Sequence, residues 1–210
     1  MISIAIPFYN MPNAAYFLGR CLASIESQTY KDYEIVITME GKMAENTNAA
    51  IKKCKGEIIK ILYMDDYLAH DDALQEIVDN FKGGWLVTGC LHDEMVVGRP
   101  HLPYYNEDIV KGENTIGSPS VLTFENQDPL LFDEMMTWML DCDYYTRLHS
   151  RYGPPIILND LNVVIGISEH QTTHQLDDQT KQDEQLYLIK KHLWFQSANP
   201  RLMTKLKKSF

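Results

Sequence analysis

The stretch Gly56–Leu74, GEIIKILYMDDYLAHDDAL, decides the fold. Ile58, Ile59, Ile61 and Leu62 form a short apolar run that stops at two adjacent carboxylates, Asp65 and Asp66, and a helix-like segment opens at Asp71–Asp72. A short apolar run bounded by polar residues reads as a buried strand of a parallel sheet covered on both faces. Carboxylates just past the C-terminal end of such a strand stand at the sheet edge where α/β proteins bind ligands. Two neighbouring acids repel each other unless a cation or a proton intervenes. The doublet is therefore a candidate divalent-metal site for a phosphorylated substrate.

The flanking sequence repeats the same grammar. Upstream, Ile2–Pro7 reads as a strand, and Phe8–Asn13 as a turn in which Asn13 is placed to cap a helix. Ala15, Leu18, Leu22 and Ile25 recur at helical spacing and give that helix one apolar face. Tyr33–Thr38 is a second strand. The polar GKMAENTN then leads into a short helix around Ala49–Cys54, stopped by Gly56. Beyond the doublet, a helix over about Asp72–Phe81 is broken by Gly83–Gly84, and Trp85–Leu91 is a fourth strand. This alternation predicts an α/β fold: a single Rossmann-like domain with a mostly parallel central sheet flanked by helices. Regularity fades after Cys90, and Arg99–Thr115 reads as a long irregular segment. Ser120–Phe124 and Val163–Ile167 read as further strands. Cys142–Arg151, opened by the acids Asp141 and Asp143, and Asp183–Trp194 read as helices.

The chain of 210 residues, 45% hydrophobic and 23% charged, suits one globular domain with its own core. A net charge of −10 argues against a nucleic-acid partner. Met1 runs directly into a strand, with no basic leader, and no segment approaches the roughly 18 apolar residues of a membrane span. Cys21, Cys54, Cys90 and Cys142 form no CxxC pair, which gives no zinc signature and suggests a reducing, cytoplasmic location.

The motifs, taken in order, resemble the family-2 glycosyltransferases, which have the GT-A fold. ISIAIPFYN is similar to that family's first strand and Tyr-Asn turn, and RCLASIESQTYKDYEIVI to its first helix, Gln-Thr-Tyr bend and second strand. NAAIKKCKGEIIKILYMDDYLAHDDAL resembles the segment with the acidic metal motif, and LFDEMMTWMLDCDYYTRL the acceptor-side segment in which an acidic pair opens a helix. Weaker likeness extends through GISEHQTTHQL, and the whole covers about residues 1–190. The resemblance implies a domain over 1–195, with a nucleotide-sugar half at 1–92 and an acceptor half at 93–195, followed by a basic tail at 196–210. It implies a donor linked to UDP, GDP or dTDP, a saccharide or other hydroxyl acceptor, and Mn²⁺ or Mg²⁺. By the same resemblance Asp66 and His170 are metal ligands, Asp65 lies nearer the sugar or ribose, and Asp141 is the general base of an inverting transfer. Pro7, Tyr9, Asn10, Glu40 and Asn48 would line the nucleotide pocket.

Three departures stand against that pattern. Where the family carries an Asp-Asp-Gly-Ser run after the second strand, this chain has Met39-Glu40-Gly41-Lys42, so only Glu40 remains acidic. A common form of the metal motif begins with an Asp two residues before the doublet; here that residue is Tyr63. The connection Gly41–Asn48 is also too short for the extra strand of many members.

Structural roles compete for each residue. Asp141 and Asp143 also suit a helix N-terminus, Asn48 a helix cap, Tyr9 and Trp138 the core, and His174 and the lysines of the tail the surface. A catalytically inactive nucleotide- or carbohydrate-binding relative is the second reading. A sugar-phosphate nucleotidylyltransferase ranks third, because its glycine-rich, lysine-bearing N-terminal loop is missing.

Overall fold

β1 (Ile2–Pro7) is buried along its whole length and has a parallel neighbour on each side. One is β2 (Tyr33–Thr38) at the sheet edge; the other is β3 (Ile58–Ile61), the apolar run that precedes the acidic doublet. These strands belong to a computed structural model of the chain that describes residues 1–93, 99–166 and 175–198. The remaining elements are α1 (Ala14–Glu26), α2 (Met43–Lys53), β4 (Tyr67–Leu68), α3 (Ala73–Asn80), β5 (Trp85–Asp93), β6 (Arg99–His101), β7 (Leu122–Glu125), α4 (Leu140–Tyr152), β8 (Ile156–Gly166) and α5 (Asp178–Ala198). Single 3₁₀ turns lie at Glu107–Lys111 and Pro119–Val121.

The sheet runs β2-β1-β3-β7-β5-β8-β4, with β6 added to β5. β1, β2, β3, β5 and β8 point one way, while β4, β6 and β7 enter antiparallel. The α/β class expected from the alternation is thus present, in a mixed sheet in which five of the eight described strands share one direction. Ala14, Cys21 and Ile25 of α1 and Ala50 and Ile51 of α2 join the strands in one core with Tyr144 and Leu148 of α4.

Several boundaries differ from the sequence reading, each for a local reason. α2 starts at Met43, not near Ala49. Its start carries no Ser, Thr, Asp or Asn cap; instead the Glu45 carboxylate reaches back to accept from the Lys42 N–H at 2.7 Å. Asn48 is consequently in the middle of α2 and is not a helix cap. Asn13 precedes α1 in the left-handed region (φ 62°) and its side chain makes no capping bond. Gly56 is no helix stop: α2 ends at Lys53, and a Cβ at Gly56 would sit 2.7 Å from the Ser3 nitrogen and 2.8 Å from the Met1 carbonyl oxygen. β8 begins at Ile156, seven residues before the expected strand, because its first half extends along β5. The Arg99–Thr115 segment holds β6 and a 3₁₀ turn within its irregular path.

All four cysteines are free. No helix among the described residues is long and apolar enough to cross a membrane. His170, His174 and the basic tail lie outside the described residues.

Candidate active site

The carboxyl ends of β1, β2 and β3 share one edge of the sheet. Pro7 stands opposite Thr38, Ala5 opposite Ile61, and the Phe8 and Leu62 N–H groups carry the ladder one step further to Thr38 and Ala5. The loops that leave this edge contain Tyr9, Glu40 and the Tyr63–Asp66 run. Parallel register alone therefore gathers three segments that are distant in sequence.

Asp66 is 3% exposed. Its Oδ1 accepts from the Gly166 N–H at the end of β8, at 2.8 Å. Burial first, then the neighbouring charge of Asp65, pushes its carboxyl well above the usual range, against the pull of Ser120, Gly166 and Lys60. Asp65 is raised too, chiefly by burial, with Arg20 acting the other way. Arg20 of α1 donates to the Asp65 carbonyl oxygen at 2.7 Å and to Asp93 at 2.8 Å, and its guanidinium lies 4.3 Å from the Tyr67 ring centroid. Gly166 has no room for a side chain, since a Cβ would lie 2.4 Å from the Asp65 carbonyl oxygen. Asp93, the last residue of β5, is the ion-pair partner of Arg20.

Lys60 lies beneath the doublet, fully buried in β3. Its ammonium donates to the Ser120 carbonyl, and burial lowers its pKa to about 7 while Asp66 pulls it upward. The Ser120 hydroxyl in turn accepts from the Tyr63 N–H at 2.8 Å. Two buried carboxyls held above their normal range form an environment that a divalent cation would relieve, and their oxygens suit Mg²⁺ or Mn²⁺. The residues present fit such an ion.

Asp141 stands in the first turn of α4. Its Oδ2 accepts from Asn114 Nδ2 at 2.6 Å and its Oδ1 from the Cys142 N–H at 2.7 Å. Burial raises its pKa to about 6, with those hydrogen bonds acting downward. Asn114 is itself fixed: its Oδ1 accepts from the N–H groups of Ile116 and Gly117, and Nδ2 also donates to the Gly117 carbonyl. Tyr63 is the residue that unites the two acids, since both Asp66 and Asp141 lie within electrostatic reach of its phenol.

Asp143, the second acid of the pair, faces the opposite way. It is fully buried, accepts from His192 Nε2 at 3.0 Å and from Arg147 Nε at 2.8 Å, and pairs with the Lys191 ammonium at 2.7 Å. It ties α4 to α5.

The expected nucleotide-pocket residues separate into two groups. Pro7 and Tyr9 lie at the shared edge; Pro7 is buried, and Tyr9 donates its N–H to Met64 Sδ at 3.1 Å. Asn10 and Glu40 are exposed, and Glu40 pairs with Lys53 at 2.6 Å. Asn48 is buried, and its amide is engaged by the Phe132 N–H and carbonyl and by Glu134. Sequence patterning gave no sign of Asn46, which donates to the Phe8 carbonyl at 2.8 Å and accepts from the Glu40 N–H at 3.0 Å. That amide joins the loop after β1 to the loop after β2. Trp138, ahead of α4, has Lys181 5.7 Å from its ring centroid.

Residues 3–88 match the family model described as Glycosyl transferase family 2, a span covering β1 through the first part of β5. The solved structures most similar in shape include S. aureus TarS 1-349 in complex with UDP-GlcNAc, with a TM-score of 0.65 and 14% identity over 84% of this chain. The same fragment with UDP gives 0.64 and 13% over 80%. The chain has the GT-A fold of these structures, and its residues 3–88 are similar to the family-2 glycosyltransferases. A mannosyltransferase from Pyrobaculum calidifontis, in complex with GDP-Man and Mn²⁺, shares this GT-A fold at a TM-score of 0.58, with 15% identity over 80% of this chain and 57% of its own. The chain spans 61% of the TarS fragment's length in either complex. No curated protein matches it in sequence.

Proposed function

We propose that this glycosyltransferase moves a sugar from a nucleotide diphosphate to an acceptor hydroxyl, with inversion at the anomeric carbon. The observation that carries the reading is that the charges of Asp66, just past β3 at the sheet edge, and of Asp141, in the first turn of α4, both act on one phenol, that of Tyr63. Asp141 is the general base. A carboxyl with a pKa of about 6 is ionised at neutral pH yet basic enough to take a proton. The acceptor oxygen forms its bond to the anomeric carbon as its proton passes to Asp141. The bond from that carbon to the diphosphate breaks, and the nucleoside diphosphate leaves with the electron pair. Asn114 holds the Asp141 carboxylate in place through this transfer.

Asp66, with Asp65 beside it, would hold Mn²⁺ or Mg²⁺. When bound, the ion offsets the charge that develops on the leaving diphosphate. His170 remains a proposed third ligand. Support for a UDP- or GDP-linked donor comes from the ligands of the similar structures. Residues 1–92 are the donor half, and 93–195 the acceptor half. Four free thiols accord with a cytoplasmic, reducing location.

The test is donor turnover. Purified protein with Mn²⁺ is expected to hydrolyse or transfer from UDP- or GDP-sugars, and Asp66→Asn to abolish it. Asp141→Asn should bind donor normally and lose turnover. One observation favours a binding-only relative: Glu40, the last acid of the base-contact run, is exposed and paired with Lys53. Metal-dependent nucleotide binding without turnover of any donor would select that second reading.

A further inference from the structure

Two hydroxyls at the shared sheet edge are buried without a hydrogen-bond partner among the described residues: those of Tyr9 and Tyr63. Native proteins satisfy nearly all such groups, so an orphan at a ligand-binding edge points to a partner that arrives from outside. The Thr47 hydroxyl influences Tyr63 and, having donated to the Met43 carbonyl at 2.8 Å, still has lone pairs to offer, but it does not meet hydrogen-bond geometry with the phenol. The Tyr63 backbone is fixed by its bond to Ser120, so the phenol is held in position without being hydrogen-bonded.

The surroundings narrow what the missing partner can be. A neutral phenol donates one O–H, and Tyr63 lies in reach of Asp66 and Asp141 without bonding either. The complement is an oxygen acceptor that enters beside two carboxylates. Resting on the glycosyltransferase reading, we propose that the Tyr63 hydroxyl is a donor-binding group, unsatisfied in the free protein and donating to an oxygen of the bound nucleotide sugar. A tyrosine here changes the site's chemistry. Where an acid would add a third negative charge, this chain offers a neutral hydrogen-bond donor.

The inference makes an asymmetric prediction that a packing role does not. Tyr63→Phe keeps the ring and removes only the orphan oxygen. Deleting an unsatisfied buried hydroxyl costs the fold nothing, whereas deleting one bonded to ligand weakens binding about five- to tenfold. The measurement is thermal stability without ligand, together with calorimetric titration of UDP, GDP, UDP-GlcNAc and GDP-mannose in the presence of Mn²⁺. An unchanged or higher melting temperature with a five- to tenfold weaker Kd supports the proposal. Weakening for nucleoside diphosphates and nucleotide sugars alike puts the accepting oxygen on the diphosphate; weakening for the nucleotide sugars alone puts it on the sugar. An unchanged Kd, or a melting temperature lowered by several degrees, overturns it. If the wild-type protein binds none of the four, the glycosyltransferase reading fails and takes this inference with it, an outcome distinct from tight wild-type binding that Tyr63→Phe leaves intact.

Discussion

Asn114 Nδ2 and Asp141 Oδ2 are joined by a hydrogen bond of 2.6 Å, across 27 residues of sequence. The bond holds the carboxylate in one orientation and stabilises its ionised form against burial. Asn114→Ala is expected to do two things. The Asp141 pKa rises further above about 6, so the acid limb of the pH–rate profile moves to higher pH. The loosened base also lowers kcat about tenfold, a fraction of the roughly 10²–10⁴ that a general base contributes, with little change in donor KM. A pH–rate profile of wild type and variant checks both. An acid limb that stays in place would show that Asp141 does not report the essential base.

Lys60 gives a stability prediction with a definite sign. Its pKa falls from 10.5 unfolded to about 7 folded, so between those values the unfolded chain binds more protons. Stability from this group is fully present above about 10.5 and is lost as pH falls toward 7. Lys60→Met replaces the side chain at similar volume and removes the titration. It also leaves the Ser120 carbonyl without its donor, a penalty that does not vary with pH. Urea unfolding at pH 7, 8.5 and 10 should therefore show wild-type stability rising relative to the variant as pH increases. Parallel curves would mean that Lys60 is not desolvated as described.

Much of the fold was legible in the sequence because period and punctuation agreed. The run Ile58–Leu62, the Gly83–Gly84 break and the Tyr33–Thr38 strand each have local causes, and each lies where the pattern puts it. The acidic doublet was readable for the same reason, since a strand end fixes where the next residues emerge. Other features depend on partners far away in sequence. The start of α2 rests on a glutamate reaching backward, and Gly56 on the close approach of Ser3. Asn46, Asn114 and Arg20 are ordinary polar residues until the fold shows which loop each one holds. Glu40 kept its acidic character in the sequence, but the fold gives it Lys53 as a partner. Lys60 was hidden for another reason. A single lysine within an apolar run looks like a surface position, and only the fold shows that its ammonium is buried against the Ser120 carbonyl of the turn before β7.

Asp143 should govern acid stability. Burial acts to raise its carboxyl, yet the hydrogen bond from His192 and the charges of Arg147 and Lys191 hold it well below the ordinary carboxylate range. A depressed folded pKa means stability that is present above the unfolded value, near 4, and is lost as pH falls through the folded one. Asp143→Asn removes the buried counter-charge of the partly exposed Arg147 and Lys191, of which Lys191 keeps Asp133, a loss of about 2–3 kcal/mol at pH 7. Denaturant titration at pH 7 and pH 3 is the check. The variant's deficit should shrink at the lower pH, and an equal deficit at both would contradict the assignment.

Glu184 of α5 makes the prediction most specific to the path between the two helices. One carboxylate oxygen accepts from the Thr137 N–H at 2.9 Å, and the other from the N–H groups of Trp138 and Met139 at 2.7 and 3.0 Å. These donors lie just ahead of α4, where a helix leaves its first N–H groups unpaired. Glu184 thus supplies from a distant helix what a local cap would supply, and it does so two residues before Asp141. Charge-assisted hydrogen bonds are each worth about 1.5–3 kcal/mol and do not add. Glu184→Ala is therefore expected to cost about 2–4 kcal/mol of unfolding free energy, whereas Glu184→Gln, which keeps one accepting oxygen, recovers roughly half. Because the lost bonds hold the segment that enters the Asp141 turn, kcat should fall in both variants, while Mn²⁺-dependent nucleotide affinity stays at the wild-type value. Affinity that falls in step with stability would show instead that α5 supports the donor half of the site.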